Sequence, residues 1–258
     1  MSSRLRSVSI IELLTRHPDG LPAPTIAQTL NIPLAATERL LQDLVQTDYI
    51  APSDDHSTYR LRAKIAALGL AYLGASGVTD LVQPILDDLA KRTGELVRLA
   101  VIESDHLTWV AKAQGSKSGL MYSPDTSAEV NLPKTANGQA WLACLPQQDI
   151  ERLLVRRAEA DGKTDDLNPA AMQELFAQLE IAKRRGYAFV SERYQTGTSA
   201  IATAIRELGT GVPLGTVSIA GPTLRMHSAR VEEMAIWLID TARELAAAAA
   251  SSPLFAAR

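Results

Sequence analysis

Cysteine is almost absent from this chain, which has only Cys144 among its 258 residues. A single thiol excludes an intramolecular disulfide framework, and that absence is typical of the reducing cytoplasm, where we expect the protein to reside. Cys144 falls late in a predicted helix, among apolar neighbours. This setting favours a buried structural thiol over a nucleophile.

Long hydrophobic runs are also missing. No stretch of about 20 residues, the length that spans a bilayer, is both apolar and free of charge. The N-terminus lacks the apolar core of a secretory signal. We therefore expect the protein to have no membrane partner and no secretory leader.

The sequence patterns of catalytic and metal sites are lacking as well. The four histidines lie far apart, and no His-Glu-x-x-His, Gly-x-Ser-x-Gly or phosphate-loop pattern occurs. No Cys/His pair has the spacing of metal ligands. We therefore expect a protein that is not an enzyme and that needs no metal or cofactor.

What the chain does contain is a helix-turn-helix pattern near its start. Two short amphipathic helices, over about residues 24–30 and 34–46, are separated by Asn31-Ile32-Pro33, which leaves room only for a tight turn. Asn31 is a typical helix stop, and Pro33 suits the first turn of the second helix. A preceding helix, over about residues 7–16, would supply the third core helix through Val8, Ile11 and Leu14.

The second of these helices has a polar outer face. At about 100° per residue, Leu40, Leu41 and Leu44 gather on one side with Thr37 and Val45. The other side carries Ala35, Glu38, Arg39, Gln42 and Gln46. Arginine suits guanine edges, glutamine suits adenine edges, and alanine can lie against a thymine methyl group in a major groove. The alternative is an ordinary solvated helix face.

A strand, a polar turn and a second strand follow, over residues 49–51, 52–57 and 58–61. A hairpin directly after a helix-turn-helix indicates a winged helix, and the basic residues after its turn would lie beside a phosphate backbone: Arg60, Arg62 and Lys64. The first 72 residues are formally neutral, with seven basic and seven acidic side chains. DNA binding would therefore depend on where the positive charges lie, because there is no excess of them.

The remainder of the chain predicts an α+β fold with a mostly antiparallel sheet flanked by helices. We expect a linking helix at 63–73, a helix at 79–92 closed by Thr93-Gly94, and an antiparallel hairpin of 95–102 with 106–112. The other expected elements are a short strand at 120–122, helices at 137–144, 148–157 and 168–185, a charged surface loop at 158–167, strands at 187–192, 200–205 and 215–220, and a last helix at 228–249.

Several motifs resemble, in order and spacing, those of the IclR family of bacterial transcription regulators. The two longest are residues 132–140 (LPKTANGQA) and 215–226 (GTVSIAGPTLRM). The shorter ones are Arg92-Thr93-Gly94-Glu95, Arg185-Gly186-Tyr187, and Gly197 followed by Ala200-Ile201-Ala202. The resemblance extends from about Arg4 to Ala246. Because separate motifs recur in the right order, we regard it as specific.

The resemblance implies a winged helix-turn-helix at 1–62 that binds operator DNA, a linker helix at 63–77, and a GAF-like effector-binding domain at 78–250. We expect a frayed tail at 251–258. Family members dimerise through the N-terminal part and often form tetramers through the C-terminal part, which suits a palindromic operator. The implied function is a ligand-responsive regulator of a catabolic operon. The alternative is a small-molecule sensor whose winged helix serves as a dimerisation or protein-contact module.

The residue type and the resemblance together give two sets of candidate site residues. The main base or phosphate contact is expected at Arg39. The full DNA-binding set is Arg4, Arg6, Ala35, Thr37, Arg39, Gln42, Arg60, Arg62 and Lys64. The effector-binding set is Met121, Tyr122, Thr135, Ala136, Asn137, Gly138, Trp141, Val190, Ala200, Ser218 and Ala220.

The chemistry of the effector follows from the second set. By the resemblance, the cavity lies between the sheet and the helix that starts at Ala136, where exposed amide hydrogens favour a carboxylate. Val190, Ala200 and Ala220 are apolar where relatives that bind small polar acids have polar groups, which favours a larger organic acid or a neutral aromatic. The alternative for Gly138 is that it serves only close packing of the helix. The alternative for Met121, Tyr122 and Trp141 is ordinary core packing.

Overall fold

The computed structural model describes residues 3–122, 130–161 and 168–255, without the side chains of Ser3, Arg4, Ala160 and Asp161. The chain divides into two compact units, Met1–Tyr72 and Leu73–Arg258. Each unit has its own hydrophobic core.

The first unit is a winged helix, as the sequence predicts. Its elements are α1 Ser3–Thr15, α2 Ala23–Leu30, α3 Leu34–Gln46, β1 Ile50–Pro52 and β2 Tyr59–Leu61. Asn31 ends α2 in the left-handed conformation, with φ 51° and ψ 50°, which asparagine tolerates better than most residues. Pro33 lies at the N-cap of α3, one position before the first turn in which it was expected.

The core of this unit packs the three helices against the two-stranded wing. Its fully buried side chains include Ile10 and Leu14 of α1, Ile26 of α2 and Leu41 of α3. The expectation that Val8 faces the core is wrong, because Val8 is 52% exposed. Ile10 and Leu14, four residues apart on one face of α1, take the inward positions.

A helix without buried side chains crosses the division between the two units. This helix, α4 Ala63–Ala75, consists mainly of apolar residues, and none of them is buried. It leads into a π-helical turn, Val78–Val82, and then into α5 Gln83–Thr93, which ends at Gly94 in the left-handed conformation. Among the described residues, no single helix is long and apolar enough to cross a membrane; only Ala63–Ala75 and Val78–Thr93 taken together across a bend reach that length and composition.

The second unit is built on a five-stranded antiparallel sheet. Its strands are β3 Leu96–Glu103, β4 His106–Gln114, β5 Ala188–Ser191, β6 Thr198–Arg206 and β7 Pro213–Pro222, in the order β4-β3-β7-β6-β5. Because side chains alternate between the two faces of a strand, the sheet buries two different surfaces. The α+β fold with an antiparallel sheet is therefore confirmed.

The helices cover both faces of this sheet. On one face, α5 and α9 Ser228–Ala249 pack on Val97, Leu99, Val217 and Ile219 to form the larger core. On the other face lie α6 Ala136–Leu142, α7 Gln147–Asp161 and α8 Pro169–Arg185. The second face is the one that contains the polar residues discussed below.

Three local predictions were wrong. Residues 120–122 form no strand, and residues 158–161, expected in a loop, belong to α7; the rest of that loop, 162–167, lies outside the described residues. The tail is not frayed over 251–255, because Pro253–Phe255 form a turn of 3₁₀ helix with Leu254 and Phe255 buried in the larger core. Ser252 Oγ also donates a hydrogen bond to the Ser76 carbonyl oxygen. Residues 256–258 lie outside the described part of the chain.

Candidate functional site

The outer face of α3 is exposed along its whole length. Ala35, Arg39 and Gln42 are exposed, as are Glu38 and Gln46. Thr37 is the exception among the predicted DNA contacts, because its side chain is fully buried and its hydroxyl donates to the Pro33 carbonyl oxygen at 3.2 Å. Thr37 therefore holds the start of α3, and its assignment as a DNA contact is corrected.

The basic residues of the wing differ in whether they already form contacts within the chain. Arg62 NH1 lies 2.6 Å from Asp48 Oδ1. Lys64 Nζ donates to the Thr47 carbonyl oxygen at 2.7 Å and lies 4.6 Å from the centroid of the Tyr49 ring. Arg60 is exposed and forms no ion pair with any described residue. Of these three charges, Arg60 is the one that is available without breaking a contact.

The other two basic candidates belong to α1. Arg6 is half-buried. Arg4 lies in the same helix, but its side chain is outside the described residues. The geometry therefore gives no reason to rank either of them above Arg60.

The turn of the wing is organised by a carboxylate. Asp55 Oδ1 accepts hydrogen bonds from Ser53 Oγ at 2.5 Å, from Ser57 Oγ at 2.8 Å and from the Ser57 amide at 3.1 Å. These hydrogen bonds, that of Ser53 first, lower the pKa of Asp55 from 3.8 to about 2. The ionised carboxylate therefore fixes the turn throughout the physiological range.

The second unit contains a small cavity on the polar face of its sheet. The cavity, of about 30 Å³, lies between the start of α6 and the strands β5, β6 and β7. Its wall is formed by Arg98, Tyr122, Lys134, Thr135, Ala136, Asn137, Val190, Glu192, Arg193, Tyr194, Thr198, Ser199, Ala200 and Ala220.

Most of the predicted effector residues meet at this cavity. Those that line it are Tyr122, Thr135, Ala136, Asn137, Val190, Ala200 and Ala220. Four predicted residues do not line it. Met121 is 46% exposed, and Trp141 packs in a separate core cluster with Leu107 and Leu142. Ser218 is buried two residues before Ala220 on the same strand.

Gly138 is the fourth residue that does not line the cavity, and it serves close packing. A Cβ atom at this position would lie 2.2 Å from the Leu132 carbonyl oxygen and 2.3 Å from its Cα atom. The Gly138 amide donates to Thr135 Oγ1 at 3.1 Å, so this hydrogen is used within the chain. Asn137 is likewise tied to the sheet, through Nδ2 and Thr216 Oγ1 at 2.9 Å.

The sequence reasoning missed Arg98, the most buried positive charge at the cavity. Its guanidinium carbon lies 3.9 Å from the centroid of the Trp109 ring. Burial lowers the pKa of Arg98 from 12.5, an effect that Tyr122 and Tyr194 oppose. Among the described residues, no carboxylate lies within ion-pair distance of Arg98. One signal was available: Arg98 is the only charged residue within the apolar run Leu96–Ile102.

Tyr122 closes the cavity beside Arg98. Its side chain is buried, and burial raises the pKa of Tyr122, an effect that Arg98 opposes. Two contacts hold this part of the chain: Gln114 Nε2 donates to the Tyr122 carbonyl oxygen at 3.1 Å, and Arg225 NH1 donates to the Leu120 carbonyl oxygen at 2.9 Å. Tyr122 is therefore fixed by its backbone as well as by its ring.

The only cysteine lies at a second, more open cavity. Cys144 follows the end of α6 and is half-buried, so it lies outside the helix in which it was expected. Burial raises the pKa of the Cys144 thiol, although Arg206, whose NH2 group lies 3.1 Å from Sγ, opposes this effect. A raised thiol pKa disfavours the reactive thiolate. This agrees with a structural role for Cys144.

Comparison with known proteins gives the same family for both units. Residues 5–54 match the description "IclR helix-turn-helix domain", and residues 70–247 match "Bacterial transcriptional regulator IclR C-terminal". The chain is 25% identical over 251 residues to the transcriptional repressor IclR of Escherichia coli K12, covering 95% of this chain and 89% of that protein. It is 28% identical over 242 residues to the regulator BhcR of Paracoccus denitrificans, covering 93% and 84%.

A solved structure agrees with the fold. An IclR homolog from Microbacterium hydrocarbonoxydans, complexed with 4-hydroxybenzoate, superposes with a TM-score of 0.76 at 18% identity and covers 97% of this chain and 100% of that one.

The C-terminal description alone matches well over half of the sequence. Members of this family are regulators of transcription and not enzymes. The chain therefore belongs to the IclR family of bacterial transcription regulators.

Proposed function

We propose that this protein binds a palindromic operator as a homodimer and controls a catabolic operon in response to an organic acid. The observation that carries the DNA-binding part is the exposed face of α3, on a helix whose other face is buried in the winged-helix core. Arg39 and Gln42 are the residues on this face that can read base edges, and Ala35 can contact a thymine methyl group.

The operator is tested by an electrophoretic mobility shift with the DNA upstream of the neighbouring operon. A good bidentate arginine contact contributes about 1 to 3 kcal/mol of discrimination, so Arg39→Ala should weaken operator binding about 5- to 150-fold. Arg243→Ala, an exposed arginine of α9, is the matched control and should leave binding unchanged. An unaltered shift with Arg39→Ala would remove this residue from the interface.

The homodimer is supported by the surface of α4. Three large apolar side chains of this helix, Leu68, Leu70 and Tyr72, are more than half exposed. Leu68 and Tyr72, four residues apart, lie side by side on the helix, and Leu70 lies on the opposite side. A helix that exposes large apolar side chains on two sides and buries none is typical of one that packs against another chain. The partner that suits this surface is α4 of a second copy of the chain. Two copies related by a two-fold axis would present two recognition helices, which matches the two half-sites of a palindrome.

The effector is proposed to bind at the cavity beside Asn137. The apolar wall of Val190, Ala200 and Ala220 supports an organic acid with an aromatic or other apolar body. The 4-hydroxybenzoate in the Microbacterium homolog supports the same class of ligand for this chain. The cavity of about 30 Å³ is smaller than an aromatic ring, so binding such a ring requires a wall side chain to move. Tyr194, which is 50% exposed, is the residue best suited to do so.

Effector binding would act on the operator by population shift. A ligand that favours one arrangement of the two recognition helices changes how well their separation matches the half-sites. A coupling free energy of about 1 to 3 kcal/mol changes operator occupancy 5- to 150-fold. The test is a titration of operator affinity with and without 4-hydroxybenzoate, and equal affinities would reject this acid as an effector.

The alternative function is a small-molecule sensor whose winged helix contacts protein instead of DNA. It is supported by the formal neutrality of residues 1–72 and by the engagement of Arg62 and Lys64 within the chain. A thermal shift with organic acids, combined with no mobility shift on any upstream DNA, would favour this alternative. A specific mobility shift would reject it.

A further inference from the structure

We propose that Arg98 binds the carboxylate of the effector and makes the cavity selective for monocarboxylic acids over neutral molecules of the same shape. This inference rests on the proposed function, because it names the group that recognises the acid. It does not require the amide groups at the start of α6 to bind the carboxylate, since the Gly138 amide already donates a hydrogen bond to Thr135 Oγ1.

The first step is the position of Arg98 in the sheet. Arg98 of β3 lies directly opposite Ser218 of β7, so both side chains are on the face that carries the cavity. Three buried side-chain atoms of the described residues have no hydrogen-bond partner, and two of them are Arg98 Nε and Ser218 Oγ. Ser218 is 1% exposed. Two unsatisfied polar atoms therefore belong to directly paired residues on the sheet face that carries the cavity.

The second step is the energy of these groups. A buried polar atom without a partner is destabilising, and a buried charge more so. Trp109 covers one face of the guanidinium, and Tyr122 forms a hydrogen bond with part of its edge. Nε on that edge has no partner among the described residues, so this part of the edge is left for another group. A carboxylate offers two acceptor oxygens in the spacing of that edge. Binding an acid would therefore satisfy groups that the protein leaves unsatisfied.

The third step is the size of the cavity. One water-sized group needs about 10–15 Å³, so about 30 Å³ accommodates two such groups. This is the room that the two oxygens of one carboxylate require. The apolar wall next to it, formed by Val190, Ala200 and Ala220, offers no partner to a second charged group.

The other charges of the wall do not compete with Arg98 for this role. Arg193 is paired with Glu174, and Lys134 is exposed, so neither supplies a buried charge at the cavity. Glu192 is exposed and negative, and it would repel a second carboxylate. One half-buried cation beside an apolar wall, with the negative charge of Glu192 near it, favours one carboxylate on an otherwise uncharged body.

The test measures binding of benzoate and 4-hydroxybenzoate, and of the neutral benzamide and 4-hydroxybenzamide, to the full chain by isothermal titration calorimetry. Hydrogen bonds to charged groups contribute about 1.5 to 3 kcal/mol, so each acid should bind about 10- to 150-fold more tightly than its amide. Arg98→Gln should abolish that preference, and Arg98→Lys should keep the preference with weaker binding. Phthalate should bind more weakly than benzoate.

The matched control is Arg206→Gln, which removes an exposed arginine of the same sheet at the other cavity. It should bind the acids as the wild type does. Thermal unfolding and the operator mobility shift establish that each variant is folded. If Arg98→Gln is folded and prefers the acids as strongly as the wild type, the role of Arg98 is overturned while the proposed function stands. If the wild type binds none of the acids, both the acid effector and the role of Arg98 are wrong.

Discussion

Arg225 holds the buried carboxylate of Glu95 at two points, with Nε 2.6 Å from Oε1 and NH2 2.7 Å from Oε2. Glu95 is almost fully buried at the start of β3, and Arg225 follows β7. The third nitrogen of Arg225 donates to the Leu120 carbonyl oxygen. One arginine therefore joins the ends of two inner strands, β3 and β7, to the segment that carries Tyr122.

Arg225→Ala should destabilise the second unit by about 3 kcal/mol, because it leaves the Glu95 carboxylate buried without its main partner. The measurement is the free energy of unfolding from urea titration. The control is Arg243→Ala, which breaks an exposed pair with Asp240 and should cost less than about 1 kcal/mol. Equal effects of the two variants would contradict the importance of the Glu95 pair.

Gly138→Ala should destabilise the protein by about 1 to 3 kcal/mol, because the added methyl group would meet the backbone of Leu132. Gly69→Ala is the matched comparison. It places the same methyl group on α4 with no atom within 4 Å, and alanine is the better helix former by about 1 kcal/mol. We expect opposite signs for the two changes in chemical denaturation. A neutral Gly138→Ala would mean that the segment at Leu132 yields easily.

Asp48→Asn should strengthen operator binding, because it releases Arg62 from its ion pair and also removes a negative charge. Each additional phosphate contact steepens the dependence of log K on log salt concentration by about 0.9. The effect of releasing Arg62 is isolated by a double-mutant cycle with Arg62→Ala. If Asp48→Asn acts equally with and without Arg62, that arginine does not reach the DNA.

Arg60→Ala should make the slope of log K against log salt concentration shallower by about 0.9, which is the contribution of one phosphate contact. The physical reason is that Arg60 is exposed and has no ion pair among the described residues. The measurement is a series of operator titrations at increasing salt. An unchanged slope would place Arg60 away from the backbone.

The hydrogen bonds of the wing turn should weaken only in strong acid. The pKa of Asp55 in the folded state is about 2, below its ordinary value of 3.8, so the stabilisation is fully present above pH 3.8 and is lost as the pH falls towards 2. The carboxyl carbon of Asp55, followed by NMR, should titrate near pH 2. Ser53→Ala should raise that midpoint towards 3.8, because Ser53 is the largest cause of the shift. A midpoint near 3.8 in the wild type would contradict the hydrogen bonds.

Leu70→Glu should convert the proposed dimer to a monomer at low micromolar concentration, because it places a charge among the exposed apolar side chains of α4. Leu208→Glu is the control, since Leu208 is similarly exposed but lies beyond the end of β6. Sedimentation equilibrium measures the mass of each variant. A Leu70→Glu variant that remains dimeric would mean that the two copies meet elsewhere.

The elements with local signals were predictable from the sequence. Asn31 and Gly94 take left-handed conformations where a helix must end, and both positions follow from residue type alone. The hairpin of β3 and β4 follows from two alternating runs joined by a short polar turn. These predictions depend only on residues that are close in the chain.

The errors concern contacts between residues that are distant in the chain. The burial of Phe255 depends on a core built by α5 and α9, which no pattern near residue 251 reports. Arg98 was missed because the residues that surround it in the fold, Ser218 and Trp109, lie 120 and 11 positions away in sequence. Thr37 has a polar side chain that suits DNA, yet the hydrogen bond to Pro33 turns it inward.

The hydrogen bond from Ser252 to Ser76 fastens the end of the chain to the residue that follows α4. A shortened protein that stops at residue 250 would lose this hydrogen bond and would remove Leu254 and Phe255 from the larger core. A bulky fusion behind residue 255 would therefore strain the attachment of Ser252 to the residue that follows α4.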